Sequence, residues 1–290
     1  MASAPDGRKH LLELRDEWKD CTKCKLGMER QERDGHFVFG TGATRSVMLI
    51  GEGPGVEEEL YGAPFVGKSG QLLRMVLKSL QLENYYLTNL VACRSCSTQK
   101  DAQGQVMRGK SFGGKLGKVF YRDEPPLPVY AEACSTRLYE EIYLVDPIVV
   151  VGLGGAACEA LMQRRFAITR LHGETQTLTI PGAVHRPALT PGGKWARKVN
   201  SEFKSPTIQN EVSYFFVPTL HPAYILRLIQ DQDPRSVFNQ FYADLANAVR
   251  TYEAYLGVAL GRTVVNSKKL ESDEVWDKYI EMVNQEENNA

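Results

Sequence analysis

Four runs of the chain are dense in β-branched and aliphatic side chains, at residues 46–50, 85–92, 148–151 and 214–220, and each has the length of a single strand. Between them apolar residues recur at helical spacing over 69–80, 131–145 and 155–164. Strand then helix, repeated, predicts an α/β fold of three layers: a central, mainly parallel sheet of four strands flanked by helices. Helical spacing returns at 237–256 and 270–284, the second stretch running into an acidic, Asn-rich tail.

Sheets of this kind bind ligands beyond the carboxyl ends of their strands. Three of the predicted strands run into suggestive segments there: Gly51-Glu52-Gly53-Pro54-Gly55, residues 89–94, and His221-Pro222. The rhythm breaks at 94–130, which is polar, rich in Gly, Lys and Pro, and too long for an ordinary connection. We read it as an insertion in a domain spanning 1–250, with 251–290 as a C-terminal helical extension.

With 290 residues, 43% of them hydrophobic and 24% charged, the chain suits one large or two small globular domains and is not a disordered, collagenous or coiled-coil sequence. Lys plus Arg and Asp plus Glu number 35 each, so the whole molecule offers no net field to a polyanion, and contact with nucleic acid must be local. Between 100 and 122 the insertion carries six basic residues against one acid, Asp101, the best candidate for a phosphate-contacting surface; the plain alternative is a solvated loop. Residues 1–10 lack the apolar core of a secretory signal, and no stretch reaches the ~18 apolar residues of a membrane span. The expectation is a soluble protein of the cytoplasm, without a membrane partner, whose six cysteines serve as thiols or metal ligands.

Two glycine motifs lead elsewhere than their patterns suggest. The segment 62–69, Gly62-Ala63-Pro64-Phe65-Val66-Gly67-Lys68-Ser69, matches a phosphate loop letter for letter. Such a loop must follow a buried strand, whereas here three consecutive glutamates precede it, which argues against an ATPase; Gly67 to Gly70 opening a helix can still offer N–H groups to one phosphate. Gly152-Leu153-Gly154-Gly155-Ala156-Ala157 fits a dinucleotide fingerprint, but small residues there equally let a helix pack close on a strand.

The cysteines form two pairs, Cys21/Cys24 and Cys93/Cys96, with Cys134 and Cys158 alone. A four-thiolate zinc site from the two pairs and an iron–sulfur cluster on 21, 24, 93 and 134 both remain open on spacing. Glu52, Asn89 and His221 lie at or just past strand ends and would converge on one sheet edge. An Asn presents donor and acceptor together for the edge of an amide-like base, a His can donate to a developing anion, and Phe65 nearby could stack on a flat ring. Each alone has an ordinary reading, as turn, cap or core residue.

Together these segments resemble the family 4 uracil-DNA glycosylases, the iron–sulfur branch of the uracil-DNA glycosylase superfamily. The resemblance rests on Cys21-Thr22-Lys23-Cys24-Lys25-Leu26, Ile50-Gly51-Glu52-Gly53-Pro54-Gly55, Pro64-Phe65-Val66-Gly67-Lys68-Ser69-Gly70-Gln71-Leu72-Leu73, Thr88-Asn89-Leu90-Val91-Ala92-Cys93-Arg94 and His221-Pro222-Ala223-Tyr224-Ile225-Leu226, with Cys134, Leu138 and Glu141-Ile142 as a sixth segment. It spans about residues 12–249.

The resemblance implies release of uracil from single- or double-stranded DNA, leaving an abasic site, with a structural [4Fe-4S] cluster on Cys21, Cys24, Cys93 and Cys134. It implies that Phe65 stacks on the uracil, Asn89 reads its edge, and His221 and the N–H of Gly53 stabilise the departing anion. Glu52 would belong to the motif that positions water, and Glu58 would crowd the C5 face and exclude a thymine methyl. Lys68, Ser69 and Gly70 would meet a DNA phosphate. One departure is the 40 residues between Cys93 and Cys134, where the family has a short connection; this insertion, or 251–290, could instead engage a protein partner. A catalytically silent DNA-binding or replication-associated module on the same fold is the competing reading, and the complete pocket set argues against it.

Overall fold

The computed structural model describes residues 7–108, 118–180, 212–229, 234–260 and 271–288. Helices α1 (Gly7–Trp18) and α2 (Lys25–Glu32) open it, followed by β1 (Thr41–Gly42), β2 (Val47–Gly51), the short α3 (Val56–Tyr61), α4 (Lys68–Ser79) and β3 (Tyr85–Asn89). A hairpin of β4 (Cys96–Thr98) and β5 (Tyr121–Asp123) precedes α5 (Pro128–Val145), then β6 (Val149–Leu153), α6 (Gly155–Met162), α7 (Ile168–Leu171) and β7 (Gln176–Ile180). After β8 (Val212–Thr219) come α8 (Pro222–Leu228), α9 (Arg235–Leu260) and α10 (Ser272–Asn288).

The sheet order is β1-β3-β2-β6-β8-β7. Its four inner strands, β3, β2, β6 and β8, run parallel, as the apolar runs predict. Among the described residues two antiparallel edge strands, β1 and β7, extend the expected four to six. Every residue of β2 and β6 is buried, because helices cover both faces.

Side chains of one strand alternate between two cores. Val47 and Leu49 point to a layer built from α4, α8, α9 and α10, with Leu72, Val76, Phe241 and Trp276 at its centre. Met48 and Ile50 point to the opposite layer of α1, α5 and α6, where Leu14, Ile142 and Leu161 meet them. A single helix, α9, runs through residue 250, where the sequence suggested a boundary, and α10 adds Val275, Trp276 and Tyr279 to the first core. The physical reason is burial: those three apolar side chains complete the cover over α4 and α9. Among the described residues no helix is long and apolar enough to cross a membrane.

Residues 62–69 follow a helix, α3, rather than a strand, which removes the geometry a phosphate loop requires. The insertion is ordered into the β4–β5 hairpin, prolonged by bridges between Lys100 and Val106 and between Arg108 and Val119; residues 109–117 lie outside the described residues.

Candidate active site

Parallel register sets Gly51 opposite Asn89 at the carboxyl ends of β2 and β3. A Cβ on Gly51 would overlap Oδ1 of Asn89 and stand 2.6 Å from Cζ of Phe65. The amide and the aromatic ring therefore meet over one bare α-carbon, although 24 residues separate them in the chain. Only glycine leaves that space open.

Phe65 holds this position under strain. Its φ of 56° is left-handed, a conformation an aromatic residue seldom adopts, and strain of that kind persists only where neighbours impose it. Arg74 is one such neighbour: Nη2 donates to the Pro64 carbonyl at 3.2 Å, Nε to the Phe65 carbonyl at 3.4 Å and Nη1 to the Tyr85 hydroxyl at 3.2 Å. Gly70 is the other, since its bare α-carbon admits the Phe65 carbonyl.

His221 arrives from β8 as the N-cap of α8, and its ring lies 6.4 Å from that of Phe65, inclined by 28°. Its Nδ1 accepts the Ala223 N–H at 3.1 Å. The neutral imidazole therefore carries its proton on Nε2. Burial, helped by the Arg227 charge, pushes its pKa down to about 4, so the ring is a neutral donor at physiological pH. Gly154, at φ 89°, admits the β-carbon of His221, and Gly152 packs against Cys158 and Phe216. The fingerprint-like glycines thus serve packing.

The loop after β2 continues the ladder, with Leu90 N–H on the Gly51 carbonyl at 2.9 Å and Val91 N–H on that of Glu52 at 3.3 Å. Burial raises the Glu52 pKa, and Arg227 partly offsets it. Glu58 is buried, with Oε2 accepting the Gly55 N–H at 3.0 Å and Oε1 that of Gly67 at 2.9 Å. Its carboxylate thus braces the loops at Gly55 and Gly67 against each other. Lys68, Ser69 and Gly70 form the first turn of α4, exposed, half-exposed and buried respectively.

A recess lies beside the chain leaving β3. Cys21, Cys24, Cys93 and Cys134 line it together with Trp18 and Phe37. Burial pushes the Cys93 thiol up to about 12, and the Arg30 charge works against that rise. Among the described residues no three His, Cys, Asp or Glu side chains converge where one metal ion would sit; the four thiols ring an apolar space instead. Cys96 points elsewhere, in β4 beside Arg33 and Arg94, so the two-pair zinc site does not form.

Two nearly inaccessible arginines flank the recess. Arg30 donates to the carbonyls of Gly35 and Cys21, and Arg137 stands 3.5 Å from Sγ of Cys134. Among the described residues neither arginine's Nε has a hydrogen-bond partner. Neither was legible in the sequence, where the only hint was the i,i+4 spacing of Arg137 and Glu141 on α5.

The insertion is tied to α3 and to the loop after β2. Arg94 pairs with Asp123 and Glu59, and Arg33 pairs with Glu59 while lying 5.4 Å over the Tyr121 ring. Asp123 and Pro126 stand against Gly55 and Gly53. Lys100, Lys118 and Arg122 remain exposed on the hairpin.

A family model described as the uracil DNA glycosylase superfamily matches residues 38–246. The chain belongs to this superfamily. The matched span of this glycosylase-superfamily chain contains Gly51, Phe65, Asn89 and His221, and also Cys93 and Cys134, but not Cys21 or Cys24. The chain is similar to the type-4 uracil-DNA glycosylase of Thermotoga maritima, 28% identical over 225 residues, covering 76% of this chain and 85% of the relative. It is similar also to those of Saccharolobus solfataricus, 27% identical over 58% of this chain and 68% of the relative, and Pyrobaculum aerophilum, 30% identical over 53% and 65%.

Proposed function

We propose that this chain is a DNA-repair glycosylase that hydrolyses the N-glycosidic bond of deoxyuridine, releasing uracil and leaving an abasic site. The observation that carries the reading is the meeting of Phe65 and Asn89 over Gly51 with the His221 ring beside them. An amide, an aromatic plate and a neutral imidazole are the complement of a flat lactam that must leave as an anion.

Deoxyuridine leaves the stack and enters this pocket, at a cost of a few kcal/mol. Phe65 stacks on the base, and the Asn89 amide gives and takes one hydrogen bond each at its edge. As the glycosidic bond lengthens, positive charge grows on the sugar and negative charge on uracil. His221 Nε2–H and the Gly53 N–H donate to that developing anion; one well-aimed donor is worth about 3–4 kcal/mol. A neutral histidine donates without needing to be discharged afterwards.

Glu52 orients the attacking water, its raised pKa bringing it closer to a useful proton acceptor. Glu58, by fixing the loops at Gly55 and Gly67, closes the side where a thymine methyl would need room. Lys68, Ser69 and Gly70 at the start of α4 meet the phosphate beside the flipped nucleotide. The hairpin extends the footprint on DNA through Lys100, Lys118 and Arg122.

Cys21, Cys24, Cys93 and Cys134 would hold a [4Fe-4S] cluster. Their arrangement around one apolar recess fits that group, and the buried charges of Arg30 and Arg137 suit its net negative charge. When bound, the cluster is a structural cross-link rather than a redox participant. Its thiolates would tie the α1–α2 junction and α5 to the chain leaving β3.

The test is incubation of the purified, brown holo-protein with a labelled oligonucleotide containing one deoxyuridine. Free uracil and an abasic strand are expected; intact substrate with a fully loaded cluster would end the proposal, and retained binding of uracil-free DNA in that case would favour the silent module.

A further inference from the structure

One guanidinium joins the chain at Asn89 to Cys134. Arg137 is completely buried on α5, and its Nη1 donates to Oε2 of Glu141 at 2.6 Å and to the Thr88 hydroxyl at 3.3 Å. Nη2 donates to the carbonyls of Asn89 at 2.8 Å and Leu90 at 2.7 Å, and lies 3.5 Å from Sγ of Cys134. Glu141 in turn accepts from the Tyr86 hydroxyl at 2.8 Å and the Gly40 N–H at 3.0 Å.

β3 ends at Asn89, and at that point the side chain meets Gly51 and Phe65 while the backbone runs on toward Cys93. The two carbonyls at this bend are buried acceptors, and Arg137 takes both. Only a planar, five-donor fork can serve two carbonyls, a carboxylate and a sulfur at once; a lysine head at the same place is a single point with three donors on a flexible stem.

We propose that Arg137 is a positioning residue for uracil recognition, holding the backbone that carries Asn89 and tying it to Cys134, so that the state of the cysteine recess is transmitted to the amide that reads the base. The proposal rests on the glycosylase reading. Its physical basis is the steep dependence of recognition on placement: an amide shifted by a fraction of an ångström still folds and still lies in the pocket, but no longer meets both edge groups of the base. Arg137 touches no substrate. Its effect passes through the backbone at Asn89 and Leu90.

The experiment compares wild-type holo-protein with Arg137→Lys in visible absorbance per mole, melting temperature, affinity for uracil-free duplex DNA, binding of free uracil, and single-turnover excision. The lysine variant is expected to keep its colour and its DNA affinity. Free-uracil binding and excision should fall together, by roughly tenfold to a hundredfold. In an Asn89→Ala background the same substitution should cost little more, since both changes act on one interaction, whereas a general structural role would add its full loss again. If Arg137→Lys does not fold, the double variant Arg137→Met/Glu141→Gln, which removes the buried pair together, takes its place with the same expected outcomes.

Wild-type uracil binding in a folded variant would overturn the proposal, as would equal losses of DNA and uracil affinity, or additive losses with Asn89→Ala. Absence of excision by the wild-type protein would instead strike the glycosylase reading, so the two failures are distinguishable.

Discussion

The carbonyl of Phe65 rests against the α-carbon of Gly70, close enough that a single methyl at residue 70 would overlap it. The overlap would be with backbone, which cannot swing aside as a long side chain can. Gly70→Ala should therefore displace the strained turn at Phe65, destabilise the fold by about 1–3 kcal/mol and lower excision. Thermal melting and single-turnover kinetics check this; a variant with wild-type values in both would show that the turn relaxes freely.

The three pocket side chains have separable duties. Asn89→Ala and His221→Ala should each slow excision by roughly 10²–10³-fold, because each removes a preorganised hydrogen-bonding group from a dry site. Affinity for uracil-free DNA should hardly change. Rates close to wild type in both variants would remove these residues from the chemistry.

His221 also predicts a pH dependence of stability. Its folded pKa lies at about 4, while an unfolded histidine titrates near 6.5. Between those values the unfolded chain binds the extra proton and the folded one does not, so this group's contribution to stability is complete above about 6.5 and declines as the pH falls through that window. Protonation would also occupy Nδ1 and break its bond from Ala223. Melting temperature against pH should be flatter between 4 and 6.5 in His221→Asn; a curve parallel to wild type would contradict the neutral imidazole.

The cysteines divide sharply. Cys134→Ser should lose most of the broad visible absorbance of the holo-protein, whereas Cys96→Ser should keep it, because only the first lines the recess. Equal loss in both would place Cys96 among the ligands.

Replacing Lys100, Lys118 and Arg122 together by Gln should weaken DNA binding most at low salt and reduce the slope of log affinity against log salt by about 0.9 for every phosphate no longer neutralised. Excision at saturating DNA should stay near wild type. An unaltered slope would detach the hairpin from the DNA surface.

The chain's order already specified a good deal. The apolar runs at 46–50 and 148–151 read as strands of a sheet with helices on both faces, and parallel strands put Glu52, Asn89 and His221 at one end of that sheet. The sequence was also sufficient to discount the phosphate-loop match at 62–69, since three glutamates stand where a strand would be needed. β1 is not legible there because two residues carry no period, nor is β7, whose alternating Gln176-Thr177-Leu178-Thr179-Ile180 is too short to be told from a loop.

What spacing could not decide was which groups touch. Cys96 lies three residues from Cys93, yet the β4 hairpin carries it away, while Cys134, across the insertion, returns on α5 to the same recess. Nothing in the sequence singles out Arg74 or Arg137, and only the packed structure turns their guanidinium groups inward onto the carbonyls of Pro64, Phe65, Asn89 and Leu90. Local periodicity is written in the order of residues because burial of a strand or helix face needs only its own neighbours. The partner of a buried polar group is fixed by three-dimensional closure, which no short stretch of sequence contains.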